Sequence, residues 1–415
     1  MQNMSTSTKS NLITLPAECK KVIFLHALFQ GGRLFVGAIC VLYFLSFGLE
    51  SKDYAWIKTT QAIIFIGLDI PLGYFLSKLG EFKSLLIAAM CGLVGALGYL
   101  VCTSFLGFLI SEIFLALSIS IWPIARSAYA MRILESYKTE GIVEKFFHLE
   151  DAVSNLFIVM CGSLGGLLYA FNKFIPYSCF LLFYLAVILC SLIFLRDLGS
   201  AKTERKMNLK LLISNVKEIR SVLPFVTILF LVQFFMQPLF HYWQPLFGEK
   251  FSISSHEMSI VFISYSLAMT TISWGFSRLT HISILRSSIF AVSAAVIGSV
   301  IYTLIAHFDT FSLSLAFFAL SFAILNLVQI AGSVLIQNKL NHQNRMIITK
   351  YVAFVARIGM IISLVVLHFL FSNNWGIVQV YKLYGALALI VFCFYFCYIV
   401  QEKIRRKKHV FEPTG

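Results

Sequence analysis

Apolar residues run through this chain in stretches of about twenty, separated by short polar segments, and the stretches recur twelve times. Roughly 20 predominantly apolar residues in a helix cross about 30 Å of hydrocarbon. The pattern therefore predicts twelve transmembrane helices, with cores at 22–46, 57–77, 84–104, 106–130, 149–170, 175–195, 223–246, 257–277, 285–306, 312–336, 350–371 and 378–400. Polar positions inside them are not scattered. In span 1, His26, Gln30, Arg33 and Gly37 step by four, three and four residues along one face. Gln233, Gln237, His241 and Gln244 repeat that stripe in span 7, while Glu112, Trp122, Arg126 and Tyr129 mark span 4 and Asn326, Gln329 and Ser333 mark span 10. Spans 3, 6, 9 and 12 carry no charged or amide side chain in their central cores. An unneeded polar group in hydrocarbon is costly, so a polar face on every third helix predicts a water-accessible cavity walled by spans 1, 4, 7 and 10. The candidate substrate-binding residues on that reading are His26, Gln30, Arg33, Trp122, Gln233, Gln237, His241, Asn326 and Gln329. Amides and hydroxyls also tie helices together, a use that explains Asn326 or Ser333 equally well.

Composition agrees with lipid as the solvent. Of 415 residues, 59% are apolar and 13% charged, with mean hydropathy +0.85. Soluble domains carry about 25% charged residues, so a water-soluble globule is excluded, and the unbroken apolar runs exclude the alternating segments of a membrane β-barrel. The net charge of +14 follows topology: 25 of the 33 Lys and Arg residues fall in the two tails and the even-numbered loops, against five on the other side, Lys52, Lys58, Lys173, Lys250 and Lys382. By the positive-inside bias both termini are expected in the cytoplasm, and no basic patch is left over for nucleic acid. The nine cysteines lie mostly in apolar segments without metal-type spacing, and no cleavable signal peptide is evident. No phosphate-binding Gly-x-x-x-x-Gly-Lys-Ser/Thr loop, iron site or catalytic triad pattern occurs, so the chain is expected to be no enzyme, to need no cofactor or metal, and to draw energy from an ion gradient.

The expected organisation is an all-α membrane protein: a cytoplasmic tail (1–21), a six-helix bundle (22–196), a linker (197–222), a second six-helix bundle (223–401) and a basic tail (402–415). In the linker Leu209, Leu212, Val216 and Ile219 recur at helical spacing beside Lys210, Lys217 and Arg220, as in an amphipathic helix on the inner leaflet. Ser77-Lys78-Leu79 after span 2 recurs as Ser277-Arg278-Leu279 after span 8, consistent with two like-oriented halves.

On these features the chain resembles the major facilitator superfamily over residues 20 to 401. The loop 2–3 signature of that family is partly kept as Gly73, Lys78 and Gly80, with Ser77 in the place of its acid and Glu81-Phe82 in the place of its basic pair. Asp69-Ile70-Pro71-Leu72-Gly73 looks like the acid-x-Pro-x-Gly of several branches, and Asn338 with Arg345 before span 11 is also similar. Two exporter signatures are weaker: Glu112 stands where an arginine is expected, and Cys161-Gly162-Ser163-Leu164-Gly165-Gly166 lacks the proline of its motif. Those glycines read as close helix packing. The resemblance implies twelve helices in two pseudo-symmetric bundles that rock around a central site.

Three arginines fall inside spans: Arg33, Arg126 and Arg357. A guanidinium stays charged and suits carboxylate or phosphate, which points to an anionic solute. Arg33 lies twelve residues past Lys21, about 18 Å deep and near the midplane. Asp69, Glu112, Arg126 and Arg357 are candidates for proton coupling or gating, with Arg126 expected to pair with Asp69; His26 and His241 are further proton carriers. The expectation is a monomeric, proton-coupled secondary transporter of a small organic anion in a bacterial inner membrane, export ahead of uptake. A membrane sensor, or an intramembrane enzyme built on the His148, Glu150 and Asp151 cluster, is the alternative of another class.

Overall fold

The computed structural model describes residues 15–134, 137, 142–195, 216–279, 288–339 and 345–411, and within these every regular element is a helix. The expected linker helix over 201–221 lies outside the described residues as far as 215, and residues 216–222 belong to the first helix of the second half, Val216–Phe235. Nine helices among the described residues are long and apolar enough to cross a membrane. The other three of the twelve spans are span 2 (Ser51–Leu79), which carries Lys58, Gln61 and Asp69, and spans 1 and 7, which are broken.

Each break has a local cause. Span 1 runs Ala17–Leu34 and resumes as Cys40–Leu45. Between them the N–H groups of Phe35, Gly37 and Ile39 bond three residues back, to Gly32, Leu34 and Val36, which tightens the coil and turns the helix out of phase. Span 7 comes in three pieces, Val216–Phe235, Gln237–His241 and Trp243–Phe251. Pro238 and Pro245 remove the N–H groups that would bond four residues back, and the ladder is interrupted next to each.

Helix pairings show the repeat more plainly than the sequence does. Span 1 packs on span 5, span 2 on span 4, and span 3 on spans 4 and 6; six spans later the same partners recur, span 7 on 11, span 8 on 10, and span 9 on 10 and 12. The halves meet along span 2 with span 11 and span 5 with span 8. Spans 3, 6, 9 and 12 carry apolar stripes, with Met90, Val94, Leu97, Leu185, Leu189, Leu192, Ile297, Leu387, Ile390 and Phe394 exposed. Such stripes suit lipid and would aggregate in water.

Glycines set the closest approaches. At Gly80, between spans 2 and 3, φ is +81°, a left-handed region that favours glycine. Beside it Glu81 pairs with Arg132 at the end of span 4, 3.0 Å apart, so an ion pair ties this loop although the signature's own acid is absent. A Cβ on Gly165 of span 5 would stand 1.6 Å from the Phe35 carbonyl oxygen, while one on Gly162 or Gly166 would meet Phe262 or Ser259 of span 8 at 2.2 Å. The Gly162–Gly166 run thus serves packing, both within the first half and between halves.

Candidate functional site

The first half gathers the span 1 stripe with span 4. His26 is 6% exposed, and its Nδ1 accepts the Trp122 indole N–H at 3.1 Å. Trp122, 1% exposed, stacks on Phe29 with ring centres 4.2 Å apart and planes within 3°, and Tyr184 of span 6 meets Phe29 edge-on. One turn along from His26, Gln30 is half-buried with its Oε1 enclosed and without a hydrogen-bond partner. Arg33 follows one turn further; it is half-buried, its Nε is enclosed without a partner, and no ion pair reaches it among the described residues.

The other buried charges of this half among the described residues are matched. Arg126 donates to Glu150 of span 5, whose carboxylate, 1% exposed, has this guanidinium as its neutraliser; the expected pairing of Arg126 with Asp69 falls on a side chain outside the described residues. The surroundings of Asp69 and Gly73 lie outside the described residues. Glu112 is fully buried; its Oε1 accepts from Lys58 Nζ at 2.8 Å and its Oε2 from the Tyr99 hydroxyl. Lys58, counted above with the outer loops, is therefore an interior residue, because span 2 begins at Ser51 and carries it two turns inward. Its pairing with an acid across helices has no signature in sequence spacing.

In the second half the stripe is dispersed. Gln233 and Gln329 line a cavity of about 220 Å³ with Leu229, Ser333, Ile336, Val352, Ala353, Ala356 and Arg357. Gln329 donates to the Met236 thioether at 3.2 Å, a weak acceptor. Arg357 donates to the Phe65 carbonyl of span 2 at 3.4 Å, across the boundary between halves. Gln237 does not share this cavity's lining; it is buried, and its Nε2 turns back to the Gln233 carbonyl at 2.8 Å. Asn326 is half-buried on span 10. His241 lies 3.4 Å from the Tyr54 hydroxyl of span 2 and helps join the halves at the end opposite the termini. Of the loop residues, Lys78 is exposed at the end of span 2.

The arrangement is a polar interior built on span 1, closed at one end by contacts between halves, with one half-buried guanidinium that forms no ion pair among the described residues. Such a group can hold an anion reversibly, which a permanently paired arginine cannot.

No protein-family model matches the sequence, and no curated protein matches it. Solved structures do. The nucleoside transporter NupG shares 12% identity and a TM-score of 0.71, covering 92% of this chain and 99% of its own. A bacterial homologue of the human lysosomal transporter Spinster, inward-facing and unoccupied, gives 11% and 0.69 over 92% and 96%. The human organic anion transporter MFSD10 gives 15% and 0.61 over 92% and 100%. All three are transporters, and at these identities the likeness is one of fold: this chain has the major facilitator fold, that of multi-pass membrane proteins.

Proposed function

We propose that this chain is a secondary transporter that moves a small organic anion by alternating access between its two six-helix halves, with Arg33 holding the anion and a proton gradient as the drive. The observation that carries the reading is the charge balance of the first half. Its described intramembrane cations are Arg33, Lys58 and Arg126, its described buried carboxylates Glu112 and Glu150, and the pairs Lys58–Glu112 and Arg126–Glu150 leave Arg33 over. An unmatched charge at midplane depth is costly and is maintained where a ligand supplies the counter-charge. A solved neighbour of the same fold carries organic anions, which agrees with this class. Both termini lie in the cytoplasm on this reading, following the basic residues.

Reconstitution tests it. Proteoliposomes holding the chain are expected to accumulate labelled benzoate or succinate under an imposed pH gradient, and Arg33→Gln to abolish accumulation while Arg33→Lys keeps part of it. Transport by Arg33→Gln at the wild-type rate would overturn the role of Arg33.

A further inference from the structure

Lys58 and Glu112 do more than fill the interior of the first half. Lys58 Nζ and Glu112 Oε1 are 2.8 Å apart, the lysine 8% exposed and the glutamate fully buried. Arg33 is within electrostatic reach of both, but the ion pair of Glu112 is with Lys58. The groups that face Glu112 are Arg33 and Cys40 from span 1, Tyr54 and Lys58 from span 2, Tyr99 from span 3 and Tyr184 from span 6. Among the described residues none of these is a second carboxyl. One turn before Lys58, Tyr54 places its ring 5.5 Å from the ammonium and its hydroxyl 3.4 Å from His241 of the opposite half. The cluster therefore lies directly beneath a contact that closes one end of the molecule.

We propose that Lys58 is a second anion-binding group and that Glu112 is its resident stand-in, displaced when a carboxylate substrate binds. The inference rests on reading Arg33 as the anion site. A proton from solution goes to Glu112 Oε1, the Lys58 ammonium keeps its protons and turns from Glu112, and the substrate carboxylate takes up the bond Glu112 gave up, beside Arg33. One negative charge is neutralised as another enters, so the interior charge stays constant and no net charge has to be buried. Anion and proton then occupy the carrier together, which makes the chain a symporter of small monocarboxylates. Tyr99 keeps Glu112 in place in either protonation state, since a neutral carboxyl still accepts its hydroxyl.

Benzoate titration of the purified chain, read by calorimetry and by an indicator dye in weak buffer, separates this from a purely structural ion pair. Wild type is expected to take up protons as benzoate binds. Glu112→Gln, which frees Lys58 permanently, is expected to bind benzoate about tenfold tighter or more, a gain of about 1.4 kcal/mol or more, and to take up no proton; adding Lys58→Gln is expected to remove that gain. No tightening in Glu112→Gln, or a gain that survives in the double variant, overturns the proposal. Should Glu112→Gln fail to fold, the double variant decides, because removing both charges of a buried pair is far milder than removing one. It is expected to bind through Arg33 without proton uptake, and wild-type proton uptake in it would overturn the role of Glu112. Arg33→Gln binding benzoate as wild type does would instead sink the anion site itself, a result distinct from the others.

Discussion

Gln244 of span 7 holds Gly37 of span 1: its Nε2 donates to the Gly37 carbonyl at 2.7 Å, and its Oε1 accepts the Val41 N–H at 2.8 Å. In an unbroken helix those two backbone groups, four residues apart, would bond each other. A buried side chain from one half is thus spliced into the hydrogen-bond ladder of the other. Nearby, Tyr242 donates to the Ser51 carbonyl at 2.9 Å, and His368 Nδ1 lies 2.9 Å from the Lys52 carbonyl. At this end, second-half side chains grip first-half backbone. Separation of the halves here would free the Val41 N–H to bond the Gly37 carbonyl in place of Gln244.

Gln244→Ala removes the splice and leaves the broken form of span 1 with an unpaired buried N–H and C=O, a cost of about 1–3 kcal/mol per group. The expected outcome is a shift toward the form open at this end. Cys40, half-buried beside the Tyr54 hydroxyl, is the native reporter: its labelling by a charged thiol reagent, located by peptide mapping in nanodiscs, is expected to quicken severalfold in the variant. Unchanged labelling would show that the splice does not hold the gate.

Gly165→Ala is expected to be the most damaging substitution in the 162–166 run. Its Cβ would press on backbone, the Phe35 carbonyl oxygen, whereas Gly162→Ala meets the end of the Phe262 ring and Gly166→Ala the Ser259 hydroxyl. Overpacking of this kind costs about 1–3 kcal/mol or more. Thermal unfolding of the purified variants is expected to place Gly165→Ala lowest.

Breaking the Arg126–Glu150 pair from one side leaves a buried charge unmatched, at roughly 3–5 kcal/mol. Glu150→Gln is therefore expected to lower the unfolding temperature clearly, and Arg126→Met with Glu150→Leu to recover most of the loss. Equal destabilisation of the single and double variants would mean that the pair is not what these residues contribute.

The twelve spans and the two-half layout were legible because a helix must bury or expose whole turns of apolar residues, and that demand writes itself into the chain as runs of length twenty. The span 1 stripe was legible for the same reason: His26, Gln30 and Arg33 precede the break, where 100° per residue still holds. After the breaks the phase is lost, which is why Gln244 binds backbone across the boundary and His241 faces Tyr54 while Gln233 lines a cavity. Tertiary partners were the other blind spot. Nothing in spacing tells that Lys58 meets Glu112, 54 positions away, or that Arg126 meets Glu150.

The proposed anion site can be tested directly with 4-bromobenzoate, whose bromine scatters anomalously, in crystals of the chain. The expected result is a carboxylate within hydrogen-bond distance of the Arg33 guanidinium, roughly 2.7–2.9 Å for a charge-assisted bond. A bromine peak only in the Gln233–Arg357 cavity, with Arg33 untouched, would contradict it.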